Sequence, residues 1–349
     1  MFKKLLIIFC ILIFTSCSSN DNQKIDTNLV KNEKQVFDTF DTVIMFTAYT
    51  KDKKEFDKYE KILEEDFKYY SKLFDNFKSY DGMNNVFTVN LNAWNKNIKV
   101  SPEIIDILEI SKEWYKKTNG DFNVAEGSVI RIWYNFREEA LKNPKNASIP
   151  KIEDLKKASE KTDIDNVAID KEKNEISLKN QYTQIDLGAV AKGYAVEKIR
   201  EKLKSEGLEH GIISAGGNVV TIGKNPTRKD GKRVIGVQNP NTNENKLASI
   251  IKVGETSIVT SGDYQRYFEV DGKRYNHIID PKTLMPAENF TSVTVIIDDS
   301  TIADIMSTTL FIKNYEDGKK LAENIGAKVL WIDKSFNQKH IGDIEFEKQ

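Results

Sequence analysis

Hydrophobic and polar residues recur with different periods along this chain, and the periods predict a mixture of helices and strands. From residue 56 to residue 73 the apolar positions recur mostly every three or four residues, which is typical of an amphipathic helix. A second helix is predicted after Pro102, and Asn119-Gly120 is a suitable C-terminal cap for it. Further helices are predicted at residues 189–205 and 301–312.

Short runs of β-branched and aromatic residues predict the strands. The first run spans residues 43–49, and the others are 167–169, 175–178, 212–222, 234–237, 250–253, 267–270 and 293–297. Residues 142–161 are polar and contain Pro144 and Pro150, so we expect a surface insertion or a hinge there. Strands and helices do not alternate regularly, which favours an α+β fold over a doubly wound parallel sheet.

The N-terminal region predicts an export signal followed by a tether. Lys3 and Lys4 precede an apolar run over residues 5–14, which is too short to span a bilayer. Small residues then lead to Cys17 and a polar stretch, an arrangement that resembles the lipobox of bacterial lipoproteins, although Phe14 replaces the usual leucine. We therefore expect a signal peptide at 1–16, a lipidated Cys17 with a flexible tether at 17–35, and a folded domain at 36–349. The expected location is the extracytoplasmic face of the bacterial cell membrane, and plain secretion with a coincidental cysteine is the alternative.

Composition then excludes several classes of protein. The 349 residues include 52 Lys and Arg against 53 Asp and Glu, a net charge of -1, so no basic footprint for nucleic acid exists. Cys10 and Cys17 are the only cysteines, so a disulfide framework inside the folded domain is excluded.

Several short motifs combine glycine turns with groups that could bind a ligand. Residues 185–194 place Asp186 and Lys192 around a glycine turn at the start of a predicted helix, where free backbone N–H groups favour an anion. Gly188 and Gly193 could instead serve only to let that helix pack closely on a strand. The paired glycines of residues 214–218 either form a hairpin turn or admit a ligand against the backbone, and the hydroxyls and acid of residues 260–264 could line a pocket; a simple turn is the favoured interpretation of both.

Two further motifs carry candidate base and metal chemistry. His277 precedes an apolar pair, an acid and a proline; it is either a base near neutral pH or a histidine hydrogen-bonded at a strand end. Asp304, Ser307 and Thr308 lie at positions i, i+3 and i+4, hence on one face of a predicted helix. Oxygen donors of this kind suit Mg²⁺, although a solvated helix face would have the same residues.

Taken together and in order, these motifs resemble the FAD:protein FMN transferase family, also called ApbE. The resemblance runs from about Phe40 to Ile312 and rests on IDLGAVAKGYAVEKI, SAGGNVVTIG, TSGDYQRYF, HIIDPKT and ADIMSTTLF, with weaker matches at FDNFKSYDGMNN and GDFNV. It implies an α+β fold related to the tunnelling fold. It also implies an Mg²⁺-dependent enzyme that takes FAD as substrate, transfers FMN to a threonine or serine hydroxyl of another protein, and releases AMP.

The resemblance further implies roles for individual residues. The FAD contacts would be Phe40, Phe77, Asp121, Phe122, Asn123, Asp186, Lys192 and Ile279. The metal would be held by the carbonyl of Ala189 and by Asp304, Ser307 and Thr308, and His277 would be the general base toward the acceptor hydroxyl. The implied acceptor is a subunit of a membrane redox complex of the Rnf or Nqr-like, Na⁺-pumping type. A lipid-anchored enzyme would meet such a subunit at high effective concentration.

The chain departs from the family pattern at two places. Thr283 is followed by Leu284 where the family usually has glycine, which puts the shape of that loop in question. Phe40 and Phe77 stand where other members carry a thioether or another aromatic ring. An FAD pyrophosphatase that releases free FMN, and a lipoprotein that binds flavin without chemistry, remain the alternative functions.

Overall fold

The computed structural model describes residues 28–241, 244 and 246–347, so the predicted signal peptide and Cys17 lie outside the described residues. The strands are β1 (Val30–Thr39), β2 (Thr42–Thr50), β3 (Ile98–Lys99), β4 (Val167–Asp170), β5 (Glu175–Leu178), β6 (Gly211–Ala215), β7 (Asn218–Ile222), β8 (Arg233–Gln238), β9 (Leu247–Val253), β10 (Ser257–Gly262), β11 (Tyr267–Val270), β12 (Lys273–Asn276), β13 (Ser292–Ile297), β14 (Lys328–Ile332), β15 (Gln338–Ile341) and β16 (Glu345–Phe346). The helices are α1 (Lys53–Leu73), α2 (Val86–Asn92), α3 (Pro102–Lys117), α4 (Gly127–Lys142), α5 (Ile152–Ser159), α6 (Ala191–Ser205), α7 (Ser300–Ile312) and α8 (Tyr315–Asn324).

An antiparallel sheet of eight strands, in the order β1-β2-β6-β7-β10-β13-β14-β15, forms the centre of the molecule. Alternate residues of its inner strands enter two different apolar clusters. Ile213 and Val220 join the main core with α1, α6 and α7, whereas Ile212 and Val219 pack with β8 and β9 on the other face. Both faces are therefore covered, which explains why these strands are apolar at nearly every position.

The predicted α+β class is confirmed, because antiparallel sheets and helices are combined without regular βαβ units. The predicted start of the folded part near Val36 and the tether through residue 35 are wrong, because β1 already begins at Val30. β1 is an edge strand whose exposed residues include the polar Lys31, Glu33 and Gln35 together with Val30 and Phe37. Backbone pairing with β2 stabilises it, so its sequence does not show the apolar pattern of an inner strand.

Two other expectations change in detail. The predicted strand at 212–222 is a hairpin of β6 and β7, joined by Gly216-Gly217. The polar segment 142–161 contains α5, and its Leu155 is fully buried in a cluster with Trp133 of α4. No helix within the described part of the chain is long and apolar enough to cross a membrane.

A small cluster around α4 fixes the hairpin of β11 and β12 to the rest of the domain. The rings of Phe268 and Tyr275, which pair across this hairpin, lie 6.3 and 6.0 Å from the Trp133 ring. The Trp133 indole also donates a hydrogen bond of 2.9 Å to the carbonyl of Leu284. This packing determines which face of the hairpin turns toward α4.

Candidate active site

Two tight turns meet at one end of the central sheet. Phe40 and Asp41 connect β1 to β2 with φ angles of 51° and 50°, and Gly216 and Gly217 connect β6 to β7 with 52° and 93°. Two-residue hairpins of this kind require left-handed backbone conformations, which glycine adopts without strain. A Cβ atom on Gly216 would lie 2.3 Å from Oγ1 of Thr42, so glycine is also needed for the two turns to approach each other.

Lys192, in the first turn of α6, reaches the second of these turns. Its Nζ donates hydrogen bonds to the carbonyl of Gly216 at 3.2 Å and to Oδ1 of Asn218 at 3.1 Å. Asn218 is fully buried; its amide nitrogen lies outside normal hydrogen-bond geometry but close enough to the Asp304 carboxylate to help lower the pKa of that group. Burial lowers the pKa of Lys192, and the neighbouring Asp304 carboxylate opposes that effect. The lysine is thus held by neutral oxygen atoms, and its charge is not neutralised by direct pairing.

Asp304 of α7 binds the start of α6 directly. Its Oδ2 accepts a hydrogen bond of 2.8 Å from the N–H of Gly193, one of the first-turn N–H groups that lack a partner within the helix. The predicted anion at this helix start is therefore provided, at least in part, by a side chain of the protein itself. Asp304 is only 4% exposed, so the alternative of a solvated helix face is wrong. Burial raises the pKa of Asp304, whereas Lys192 and the N–H of Gly193 lower it.

Gly193 allows this contact because it has no side chain. A Cβ atom there would lie 2.4 Å from the carbonyl oxygen of Ser300 and 2.5 Å from Cβ of Asp304. The glycine therefore permits close packing of its helix, which was one of the two interpretations of this motif. The element packed against it is helix α7, however, and not the strand that was expected.

Replacing Gly193 by alanine is expected to destabilise the protein by about 1–3 kcal/mol, the usual cost of overpacking a core. Alanine is the better helix former by about 1 kcal/mol, but that gain is too small to offset a clash with backbone oxygen. Thermal unfolding measures the change. Gly254→Ala is the matched control, because a Cβ atom at Gly254 meets nothing within 4 Å. Equal melting temperatures for the two variants would contradict this prediction.

Hydroxyl groups from two elements lie beside the next turn of α7. Oγ of Ser261, at the end of β10, lies 2.8 Å from Oγ of Ser307 and 3.5 Å from Oγ1 of Thr308. The predicted metal ligands Ser307 and Thr308 are thus brought together, and Ser261 joins them. Ser261 was not among the site residues predicted from the sequence, although residues 260–264 contain hydroxyl groups that a pocket could use.

These donors fit a hard cation. No group of three or more His, Cys, Asp and Glu side chains suited to a metal occurs in the part of the chain that the structure describes. The available set is the Asp304 carboxylate, neighbouring hydroxyls, and the backbone of Ala189, which lies in the turn just before α6. Mg²⁺ usually takes one or two carboxylates and completes its shell with phosphates and water, so this set suits Mg²⁺.

His277 follows β12 and is fixed by the backbone of Arg266, directly opposite. The N–H of His277 donates to the Arg266 carbonyl at 3.1 Å, and Nδ1 lies 3.2 Å from the same oxygen. A carbonyl only accepts hydrogen bonds, so this contact favours the tautomer with the proton on Nδ1 and leaves Nε2 as the acceptor.

The charge state of His277 follows from its surroundings. Part of the ring is accessible to solvent, yet the surrounding protein and the positive charges of Arg266 and Arg137 lower the pKa of His277 to about 3. Lys192 contributes to the same effect, which places the lysine and the histidine in one site. His277 is therefore neutral at neutral pH, with Nε2 unprotonated.

An aromatic surface lies on the other side of the site. Phe77 is 48% exposed; its ring centroid is 4.7 Å from that of Tyr134 and 4.1 Å from the guanidinium carbon of Arg131. The adjacent Asn76 donates a hydrogen bond of 2.7 Å to Oδ2 of Asp186. The structure thus brings the predicted contacts Phe77 and Asp186 close together, and it adds Tyr134 and Arg131, which lie on a helix that showed no ligand motif.

Glu126, at the start of α4, is a second residue that the motifs did not indicate. It is 4% exposed, and its Oε1 has no hydrogen-bond partner among the described residues. Burial, together with the negative charges of Asp280 and Asp186, raises the pKa of Glu126 well above its ordinary value. This carboxyl group therefore lies near both Asp186, beside the aromatic surface, and Asp280, in the segment that carries His277.

Phe40 and the stretch 121–123 already have structural contacts. The Phe40 ring packs edge-on against Phe67 at 6.3 Å. Asp121 is 4% exposed and forms salt bridges with Lys282, at 2.6 Å, and with Lys313. Phe122 is in the main core, whereas Asn123 donates to the carbonyl of Thr162 and accepts from the N–H of Ala125. Their predicted contacts with FAD stay predictions.

Ile279 and Leu284 belong to the apolar cluster around Trp133, where both side chains are buried. Leu284 has a φ angle of 61°, in the left-handed region that favours glycine. Leu284, which stands where the family usually has glycine, therefore has the backbone conformation typical of glycine although it carries a side chain. Burial of the leucine side chain, and the hydrogen bond from Trp133, hold that strained conformation in place.

Comparison with known proteins finds relatives that cover most of this chain. A sequence profile of the ApbE family matches residues 40–331. An FAD:protein FMN transferase of Klebsiella pneumoniae (strain 342) is 31% identical over 71% of this chain and 76% of its own length. One of Treponema pallidum (strain Nichols) is 30% identical over 70% and 69%. The structure of the ApbE protein of Thermotoga maritima MSB8 superposes with a TM-score of 0.77 at 29% identity, covering 89% of this chain and 96% of that one. The chain therefore belongs to the ApbE family.

Proposed function

We propose that this protein is an FAD:protein FMN transferase, which transfers FMN from FAD to a threonine or serine hydroxyl of an acceptor protein and releases AMP. This chain aligns with more than two thirds of the length of relatives that carry this name. The observation that carries the proposal is the convergence of a neutral histidine, a lysine and a buried carboxylate from three separate segments.

The residues divide the work of binding and chemistry. The exposed ring of Phe77, beside Tyr134, offers a stacking surface for a planar ring of FAD, and Asp186 lies next to it. Phosphoryl transfer depends mainly on positioning and on stabilising charge. Lys192 provides one positive charge for the diphosphate. Ala189, Asp304, Ser307 and Thr308 would hold Mg²⁺, which offsets negative charge on the diphosphate when it is bound.

His277 acts on the acceptor. Its Nε2 takes the proton of the acceptor hydroxyl, and the hydroxyl oxygen attacks the phosphorus atom of the FMN half. The bond from that phosphorus to the bridging oxygen breaks, and AMP leaves with the electron pair of that bond. The proton then passes from His277 to solvent or to AMP, so that no other reactant is needed.

The test combines two measurements on one reaction mixture of protein, FAD, Mg²⁺ and a candidate acceptor. Mass spectrometry reports FMN attached to the acceptor, and chromatography reports AMP and free FMN. Equal amounts of AMP and modified acceptor support the transferase. AMP with an equal amount of free FMN, whether or not acceptor is present, would indicate a pyrophosphatase, and FAD that stays intact would indicate a binding protein.

The anchor is a separate proposal. Cys17 is lipidated and ties the enzyme to the extracytoplasmic face of the membrane, where subunits of Rnf or Nqr-like redox complexes are the acceptors. The apolar run before Cys17 and the polar stretch after it support this proposal.

Metabolic labelling with a fatty acid is expected to mark the wild-type protein and the Cys10→Ala variant, but not the Cys17→Ala variant. Cys10 is the matched control because it is the other cysteine of the chain and lies inside the predicted signal peptide. Persistent label on Cys17→Ala would refute the anchor without affecting the proposed activity.

A further inference from the structure

Arg266 lies directly opposite His277 at the open end of the β11–β12 hairpin. The strands of that hairpin end at the paired residues Tyr267 and Asn276. The hydrogen bond from the N–H of His277 to the Arg266 carbonyl extends the same antiparallel register by one more pair. Residues that face each other across an antiparallel pair project from the same side of the sheet. Arg266 and His277 therefore point to one side.

That side is the one that faces α4. Side chains along a strand alternate, so Arg266 shares its side with Phe268, and His277 shares its side with Tyr275. Phe268 and Tyr275 stack on Trp133 of α4. Arg137 follows Trp133 by four residues on that helix, hence on the same helical face. Packing thus directs Arg266, His277 and Arg137 toward one region.

The charges in this region are predominantly positive. The guanidinium group of Arg266 has no hydrogen bond or salt bridge to any described residue; the residue is exposed overall, although the protein around the guanidinium lowers its pKa. Lys192 and Arg137 add two further positive charges close to His277, and Asp41 is the carboxylate near Arg266. Arg266 and Lys192 have no direct carboxylate partner among the described residues, whereas Arg137 pairs with Glu138. These two unpaired positive charges match the two negative charges of a diphosphate.

We propose that Arg266 binds the diphosphate of FAD and contacts the phosphate that is transferred, which places this phosphate beside His277. The inference rests on the proposed function and adds to it a residue that the sequence analysis did not select. A guanidinium group suits the task because its planar fork of N–H groups matches two phosphate oxygens at once. Its main chain is held by the contact with His277, so the two side chains start from backbone positions that are fixed relative to each other.

The experiment compares Arg266→Gln and Arg266→Lys with wild type. Arg274→Gln is the matched control, because Arg274 lies on the same hairpin and pairs with Glu269 on the exposed side. Binding of FAD, ADP and riboflavin is measured by titration, and transfer is measured as FMN attached to the acceptor at saturating FAD. Riboflavin carries no phosphate, so it separates loss of a phosphate contact from general damage to the flavin site.

Arg266→Gln is expected to weaken the binding of FAD and of ADP by about 10-fold or more and to leave the affinity for riboflavin unchanged. The transfer rate is expected to fall by about 10²–10³, the usual loss for one preorganised donor. Arg266→Lys should restore part of the rate, and Arg274→Gln should behave as wild type. Equal losses for riboflavin and FAD, or unchanged affinities in both Arg266 variants, would overturn the inference. A wild-type protein that transfers no FMN would refute the proposed function, while the ADP and riboflavin titrations would still decide the role of Arg266.

Discussion

Replacing Asp304 by asparagine is expected to lower Mg²⁺-dependent transfer by a factor on the order of 10³. Asp304 is the only carboxylate among the proposed ligands, and a bound divalent ion supplies several kcal/mol of charge stabilisation. Each loss of about 1.4 kcal/mol slows the reaction tenfold. FMN attached to the acceptor is measured over a range of Mg²⁺ concentrations, and the loss should be largest where Mg²⁺ is limiting.

Asparagine is preferred to alanine for a structural reason. The sequence spacing of Asp304 is compatible with a surface carboxylate whose removal would not affect stability. In the structure, however, Asp304 is buried and accepts a hydrogen bond from the N–H of Gly193. Alanine would leave that N–H without a partner, at a cost of about 1–3 kcal/mol, whereas asparagine keeps an acceptor oxygen. Asp298→Asn is the matched control, because Asp298 is an exposed carboxylate just before the same helix. A normal Mg²⁺ dependence in Asp304→Asn would show that the metal binds elsewhere.

Replacing His277 by alanine is expected to lower the transfer rate by about 10²–10⁴, the usual contribution of a general base, with little change in FAD affinity. The imidazole accepts a proton from the acceptor protein, and the proposed FAD contacts belong to other residues. FAD binding followed by flavin fluorescence, beside modification of the acceptor, measures both parts. His340→Ala is the matched control, because His340 is exposed on β15.

The pH profile of kcat/KM gives an independent test of the same residue. The pKa of His277 is lowered to about 3, so the neutral form that acts as a base is populated above that pH and is lost only as the pH falls toward 3. His277 should therefore cause no decline of kcat/KM between about pH 8 and pH 5, where an unperturbed histidine with a pKa near 6.5 would begin to be protonated. A loss of FAD affinity in His277→Ala at a normal saturated rate would refute the role as base.

Much of the fold follows from local patterns. α1 and α7 were predicted within a few residues, since each has a clear helical pattern and a suitable start. β1 was missed because an edge strand needs few apolar residues, and the seven-residue α2 was missed because it is too short to establish a period. The inner strands β10 and β14 and the 16-residue helix α4 were also missed, so local patterns did not predict inner elements reliably.

The sequence by itself determined the α+β class, four of the eight α-helices and nine of the sixteen strands that the structure describes, and a set of motifs whose order indicated the family and the chemistry. Only the tertiary structure decided which residues meet. Gly193 and Asp304 are 111 positions apart, and their hydrogen bond exists because α6 and α7 pack closely enough to bury both. Ser261, Arg266 and Glu126 entered the site in the same way, through strand register and helix packing. A local pattern contains no information on such contacts, because their distances depend on how elements remote in the chain pack against one another.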